Sequence, residues 1–274
     1  MSGTTPSSTL VAGDCLAALD AVPAGAARLV YLDPPFNTGR RQRGRANASF
    51  EDRFGAPADY LAFLTPRLER LYETLHPDGS LIFHGDWRAI HYAKVALDAL
   101  FRVGERGGGM FVNEIIWHYG LGAARAQRTL LTKHDTLLWY SRSRDYCFNQ
   151  LRGPATAAML DKYRHQAADG RRFMRSYGKV YYLKGGKPLD DVWDIPALAP
   201  TSRERSGYPT QKPLALLERI IDLASRPGDL VLDPFCGSGT TLVAARKLGR
   251  SGWGCDISPH ALDIARARLA SLPG

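Results

Sequence analysis

Short apolar runs alternate with amphipathic segments along most of the chain, and each of these runs stops at an acid. Thr9-Leu10-Val11-Ala12-Gly13 leads into Asp14, and Leu29-Val30-Tyr31-Leu32 into Asp33. Ser80-Leu81-Ile82-Phe83-His84-Gly85 leads into Asp86, Leu230-Val231-Leu232 into Asp233, and Gly252-Trp253-Gly254-Cys255 into Asp256. Runs this short and this apolar read as buried strands. Amphipathic segments bounded by Pro, Gly or Asp lie between them, at roughly 57–76, 87–101, 213–225, 239–249 and 259–270, and read as helices. Asn113-Glu114-Ile115-Ile116-Trp117 and Asp135-Thr136-Leu137-Leu138-Trp139-Tyr140 supply the remaining strands, with their aromatics in the core. Strands alternating with helices predict an α/β fold, a doubly wound and mostly parallel sheet. Ligands of such sheets bind at the carboxyl ends of the strands, where strand order reverses. Five acids gathered on that edge predict a polar site rim, although Asp86, followed by a helix, reads as a cap.

Two strand ends carry more than an acid. Asp33-Pro34-Pro35-Phe36 ends pairing outright, because neither proline has an N–H to donate, and Pro34 holds Asp33 extended. Asp233-Pro234-Phe235-Cys236-Gly237-Ser238-Gly239 is a strand, a tight glycine turn and a helix start, a shape that lets a ligand approach the backbone. It lacks the Gly-Lys-Ser/Thr of a phosphate-cradling loop, and Ser238 lacks the frame of a nucleophile elbow. Cys236 has no base fixed near it in sequence and reads as packing. Asp256, 19 residues after Gly237, falls where a doubly wound fold places the acid that grips a ribose. The expected ligand is a nucleoside without a pyrophosphate.

Composition sharpens this picture in three places. The 274 residues carry a net charge of +9, and the whole excess lies between Leu121 and Asp190, with 14 Lys/Arg against 5 Asp/Glu. A solvated basic face would read the same way, but a block like this better suits a polyanion such as nucleic acid. A second basic cluster, Arg40, Arg41, Arg43 and Arg45, follows the Asp33 turn among Gly and Asn without helical or strand period. It predicts a loop that grips phosphates, with a merely solvated loop as the alternative. The four cysteines are scattered, with no Cys/His cluster, so no metal site is expected and a reducing cytoplasm is. No apolar run reaches membrane-span length, and the N-terminus has no signal-peptide pattern.

Three motifs in this order resemble one family. Asp233 to Gly239 resembles the S-adenosylmethionine loop of DNA amino-methyltransferases, Asp33-Pro34-Pro35-Phe36 their catalytic tetrad, and Thr210-Gln211-Lys212-Pro213 a third signature. The tetrad preceding the cofactor loop matches the circularly permuted β group, which methylates N6 of adenine or N4 of cytosine. The resemblance implies a seven-stranded sheet with a catalytic half at 1–145, a target-recognition insert at 146–204 and a cofactor half at 205–274. It places Asp233, Phe235, Gly237 and Gly239 at the methionine end of the cofactor, Asp256 on the ribose, Asp14 on the adenine amine and Lys212 near the methionine carboxylate. It implies double-stranded DNA as substrate, with base flipping. A homodimer and a cognate restriction endonuclease are partners that the family admits. Asp at the first tetrad position goes mostly with adenine, so N6-adenine is expected and N4-cytosine is the runner-up. A non-catalytic DNA-binding subunit that keeps the fold is the alternative of another class, and the intact Asp33, Gly237, Gly239 and Asp256 argue against it.

The tetrad's chemistry can be stated from its residue types. An exocyclic amine is a poor nucleophile because its lone pair is delocalised into the ring. Asp33 and the Pro34 carbonyl can each accept one N–H, which favours a pyramidal nitrogen, while Phe36 offers a face for stacking. Acceptors fixed in a dry pocket are worth most. In the basic stretch 171–186, aromatic and basic residues interleave, and small strands joined by Gly-Gly turns are expected there.

Overall fold

The computed structural model describes residues 6–43, 49–120 and 128–272, so Arg45 and the start of the basic block lie outside the described residues. The strands are β1 (Ser8–Ala12), β2 (Ala27–Leu32), β3 (Arg40–Arg43), β4 (Ser49–Asp52), β5 (Leu75–Gly85), β6 (Met110–His118), β7 (His134–Ser141), β8 (His165–Gln166), β9 (Arg172–Ser176), β10 (Lys179–Tyr182), β11 (Val192–Asp194), β12 (Leu230–Asp233) and β13 (Ser251–Asp256). The helices are α1 (Cys15–Ala18), α2 (Pro57–Thr74), α3 (Ile90–Phe101), α4 (Ala157–Lys162), α5 (Leu214–Ala224), α6 (Thr240–Lys247) and α7 (Pro259–Ala270). No helix among the described residues is long and apolar enough to cross a membrane.

The chain forms two compact units, 1–148 with 191–274, and 149–190. The larger is built on an eight-stranded sheet of order β1-β13-β12-β2-β5-β7-β6-β11. From β1 to β5 every pair is parallel, β7 runs antiparallel to both β5 and β6, and β11 returns parallel to β6. Seven of these strands are those read from the sequence. The eighth, β11, is a three-residue Val-Trp-Asp strand, too short to announce itself by pattern. Period-2 alternation gives the sheet two buried faces. Val30, Leu32, Leu81, Phe83, Leu138 and Tyr140 pack with Leu64, Leu68, Leu71, Leu97 and Phe101 of α2 and α3. Their neighbours Leu29, Tyr31, Ile82, His84, Leu137 and Trp139 are buried on the opposite face.

The basic cluster after the tetrad corrects its sequence reading. Arg40, Arg41 and Arg43 lie on β3, which pairs antiparallel with β4. The strand was hidden because its inward position is polar: Gln42 lies opposite Phe50, while the arginines are exposed. Asp52, buried at the hairpin base, accepts from the Asn37 N–H and the Thr38 hydroxyl at 2.6 Å each.

The smaller unit holds α4 and a three-stranded antiparallel sheet, β10-β9-β8. Its β9–β10 turn is Tyr177-Gly178, with Tyr177 at φ +50° and fully exposed. Gly185-Gly186 joins no strands of this sheet; Gly186 instead donates to the Gly153 carbonyl.

One glycine fixes where α6 begins. Gly239 is its N-cap at φ +76°, and a Cβ there would lie 2.7 Å from the Ala265 Cβ on α7. Gly239→Ala is therefore expected to cost about 1–3 kcal/mol, combining backbone strain with overpacking. Adding Ala265→Gly should recover the steric part only. Urea unfolding of the single and double variants checks this, and a Gly239→Ala midpoint equal to wild type would contradict it.

Candidate active site

The parallel register brings the strand-end acids to one edge. Val231 and Leu232 of β12 lie opposite Leu29 and Val30 of β2, and Asp233 lies opposite Gly254 of β13. A cavity of about 620 Å³ opens there, within the range of small-molecule sites. Asp14, Asp33, Asp233 and Asp256 line it, with Pro34, Pro35, Phe36, Phe235, Gly237 and Lys212. Asp86 does not line it. Its carboxylate accepts the Arg88 N–H at 2.9 Å and pairs with the Arg88 side chain, at the turn that leads into α3. Burial pushes the Asp86 carboxyl up.

Asp33 leaves β2 with its carboxylate split between two environments. Oδ2 lies 2.5 Å from Lys212 Nζ, whereas Oδ1 is buried with no hydrogen-bond partner among the described residues. Beneath Oδ1, at 3.6 Å, lies Nδ1 of His84, the penultimate residue of β5. The same Nδ1 is 2.8 Å from the Tyr31 hydroxyl, and His84 Nε2 is 3.1 Å from Asp135 Oδ2. Because β7 is antiparallel, its first residues, with Asp135 among them, reach the edge where β5 ends. Burial alone would raise the Asp135 carboxyl, but the His84 hydrogen bond and the charge of Lys212 outweigh it and hold the group below its usual range. Phe36 packs on His84, with ring centres 5.6 Å apart, and Lys212 Nζ sits 5.2 Å from the centre of the Phe36 ring.

The Thr210-Gln211-Lys212-Pro213 loop shows how Lys212 is held. Thr210 takes a left-handed φ of +57°. Gln211 Oε1 accepts from the Ser206 N–H and hydroxyl at 2.8 and 2.7 Å, and its Nε2 donates to the Glu204 carbonyl at 2.9 Å. Glu204 Oε1 accepts the Leu214 N–H at 2.7 Å, satisfying an orphan donor of the first turn of α5. Pro213 is the α5 N-cap, so the motif carries a loop staple, an ammonium and a helix start in four residues.

The glycine turn after β12 is shaped from both sides. Asp233 accepts the Phe235 N–H at 3.0 Å on Oδ1 and the Thr241 hydroxyl at 2.5 Å on Oδ2, which ties strand to helix. Asp256 accepts the Gly237 N–H at 2.9 Å and the Ser258 N–H at 2.8 Å. Gly237 has φ +50°, and a Cβ on it would lie 3.1 Å from the Tyr208 ring. Asp14 caps α1 through the Leu16 N–H at 2.8 Å and pairs with Arg67 at 2.6 Å. The β3–β4 hairpin adds Gln42, Phe50 and Asp52 to the lining.

The chain's residues 27–267 match a family model described as DNA methylase, covering N6 and N4 methyltransferases. The chain belongs to this family. It is 30% identical over 265 residues to the type II methyltransferase M.HpaI of Haemophilus parainfluenzae, spanning 96% of this chain and 74% of that one. It is 28% identical over 275 residues to the DNA adenine methyltransferase YhdJ of Escherichia coli K12, spanning 95% and 82%. The fold is shared with the M1.HpyAVI–SAM complex, at TM-score 0.65 and 20% identity over 97% of this chain and 100% of that one. It is shared also with the cytosine-N4-specific PvuII DNA methyltransferase, at TM-score 0.64 and 17% identity over 99% and 88%. This DNA methylase is thus an amino-methyltransferase on a mainly parallel α/β sheet.

Methyltransferases of this family use S-adenosylmethionine, and the cavity fits it. The lining alternates aromatic faces (Phe36, Phe63, Tyr208, Phe235) with carboxylates, a donor set suited to a flat nucleoside joined to a sulfonium cation. A Cβ on Gly13, at φ +137°, would meet nothing within 4 Å, so the backbone there is open to a ligand.

Every sequence-predicted residue among those described lines this cavity except Gly239, Arg40, Arg41 and Arg43. The structure pairs Lys212 with Asp33, a contact 179 residues apart that no local pattern could reveal. His84, Asp135, Tyr119, Tyr208 and Arg67 went unread in the sequence. His84 stood as an ordinary strand residue, and its only signal was a polar residue inside an otherwise apolar run.

Burial pushes the Asp233 carboxyl up to about 7, with the charges of Asp33 and Asp256 acting in the same direction and the Thr241 and Phe235 bonds opposing it. A carboxyl raised in the folded state holds its proton there after the unfolded chain has released it. Its contribution is therefore fully present below pH about 4 and is lost as pH rises towards about 7. Asp233→Asn is expected to remove this fall. Denaturant stability measured across that window in both proteins checks it, and parallel curves would contradict it.

Proposed function

We propose that this DNA methylase transfers a methyl group to N6 of adenine in duplex DNA, with Asp33, Pro34, Pro35 and Phe36 as the catalytic tetrad. The observation that carries the reading is the bare, buried Oδ1 of Asp33 beside an aromatic face. A flipped base stacks on Phe36 and gives one amine N–H to Asp33 Oδ1 and the other to the Pro34 carbonyl. Both acceptors draw the nitrogen lone pair out of conjugation. S-adenosylmethionine, when bound, supplies the electrophilic methyl group. Gly237, Gly239, Asp233 and Phe235 would hold its methionine end, Asp256 its ribose and Asp14 its adenine. Lys212 has two acceptors within its reach in this reading, Asp33 and the methionine carboxylate.

Adenine is favoured over cytosine because Asp at the first tetrad position goes mostly with adenine in the family and Ser mostly with cytosine, and a carboxylate is a stronger acceptor than a hydroxyl. The adenine-specific relative spanning most of the chain supports the same choice. N4-cytosine is the runner-up, supported by the fold shared with a cytosine-N4-specific enzyme. Target recognition is assigned to 146–204, between catalytic and cofactor halves at 1–145 and 205–274. That stretch contains the compact unit 149–190, in which nine Lys/Arg face three Asp/Glu. Its type II relatives suit a chain that works beside a cognate restriction endonuclease, in the cytoplasm.

Mass spectrometry of nucleosides from DNA treated with the protein and cofactor should find N6-methyladenine. N4-methylcytosine in its place would overturn the base assignment. Asp33→Ala should lower turnover by about a hundredfold or more, the loss typical of a preorganised polar contact, while calorimetry finds cofactor binding nearly intact.

The exposed arginines of β3 are read as phosphate contacts. Replacing Arg40, Arg41 and Arg43 by Gln should weaken binding across DNA sequences. The slope of log K against log salt should flatten by about 0.9 for each phosphate no longer neutralised. An unchanged slope would leave these side chains without a DNA role.

A further inference from the structure

A carboxylate that receives a proton from the methylated amine must pass it on before the next turnover. One group is built behind Asp33 for this. His84 is fully buried, yet it lies between two carboxylates, with Nδ1 3.6 Å from Asp33 Oδ1 and Nε2 3.1 Å from Asp135 Oδ2. An ionised carboxylate only accepts, so Nε2 carries the imidazole proton, and Nδ1 presents a lone pair to which the Tyr31 hydroxyl donates at 2.8 Å. In this neutral tautomer Nδ1 has no proton to give to Asp33 Oδ1, which has no hydrogen-bond partner among the described residues. Among the described residues, the titratable and charged groups around the imidazole are Tyr31 and Asp33 from β2 and its end and Asp135 from β7. At one remove are Lys212 on Asp33, Tyr119 on Asp135, Asp233 from β12 beside Tyr31 and Asp33, and Asp86 after β5. Phe36 and Trp117 close the remaining sides, with ring centres 5.6 Å away.

We propose that His84 is the proton acceptor behind Asp33, linking the target amine to solvent through Asp135. The inference rests on Asp33 being the residue that faces the amine. As the amine nitrogen gains its methyl group, one N–H bond breaks, its electron pair stays on nitrogen, and the proton passes to Asp33 Oδ1. That O–H bond then breaks as an N–H bond forms at His84 Nδ1, while the Tyr31 hydroxyl turns aside. The resulting imidazolium faces the Asp135 carboxylate, whose side chain is 13% exposed and whose Oδ1 is 3.4 Å from the Tyr119 hydroxyl. There the Nε2–H bond breaks, its electron pair stays on nitrogen, and the proton passes to Asp135 and on to solvent, one for each methyl group transferred. Once the base has left, the imidazole returns to its starting tautomer by taking a proton at Nε2 through Asp135 and releasing the one on Nδ1 through Asp33 into the emptied cavity. His84 does not touch the base, so it is a positioning residue acting through Asp33. An imidazolium already present at low pH would aim Nδ1–H at Asp33 Oδ1 and fill the acceptor meant for the amine.

The test is the pH dependence of single-turnover methyl transfer to duplex DNA, from about pH 5 to 8.5, using radiolabelled cofactor. Wild type should show an acid limb. His84→Gln should lose that limb and run about tenfold slower or more at neutral pH. Asp135→Asn removes the carboxylate that favours the imidazolium, so its limb should move to lower pH. Calorimetric cofactor binding and circular dichroism establish that each variant folds; where His84→Gln does not, Asp135→Asn carries the test. Rates that are merely scaled, with the limb unmoved in either folded variant, would mean that the imidazole only packs, and would overturn the proposal. If Asp33→Ala transferred methyl groups as fast as wild type, the assignment of Asp33 itself would fall, and this inference with it.

Discussion

A carboxylate held out of water with one oxygen saturated and the other bare is the constraint around which this site is arranged. Leaving a buried acceptor unpaired costs on the order of 1–3 kcal/mol. The fold sustains it at Asp33 by fixing the residue from every side. β2 lies between β12 and β5, Pro34 and Pro35 stiffen the exit, Lys212 holds Oδ2, and the buried His84, tied to Tyr31 and Asp135, lies beneath Oδ1. The Gln211 staple and the Glu204 bond to α5 in turn fix the loop that brings Lys212 there.

The acids on the strand ends look alike in sequence and do different work. Asp233 turns both oxygens inward, to Thr241 and Phe235, and shapes the turn that follows it. Asp256 braces the same turn from the neighbouring strand through the Gly237 N–H. Asp14 caps α1 and neutralises Arg67. Asp33 alone among the four presents a buried oxygen with no hydrogen bond among the described residues.

Much of this was legible in the chain because the signals were local. Apolar runs ending in acids gave the parallel strands, and the glycine turn after Asp233 marked a loop that lines the cavity. What stayed hidden was set by register or by long-range pairing. His84 reaches Asp33 because β5 and β2 pair in parallel with Phe83 opposite Leu32. Asp135 reaches His84 because β7 runs against the other strands. The β3–β4 hairpin escaped notice because Phe50 shares its inward face with the polar Gln42 and Asp52, so the usual alternation of apolar and polar residues was missing. β11 was too short to show a period at all.

The pairing of β2 with β12 has a consequence for how the protein comes into being. Leu29 and Val231 are neighbours in the sheet, although most of the chain runs between them. Contacts this distant close late, because loop entropy must be overcome before they stabilise anything. During synthesis, Asp33 leaves the ribosome long before the segment that completes its surroundings. A nascent chain therefore carries the tetrad without β12, α6 or the loop that brings Lys212. The seam in the middle of the sheet, like the β1–β13 pairing at its edge, waits for the end of the chain, and the site exists only once these distant stretches of polypeptide have met.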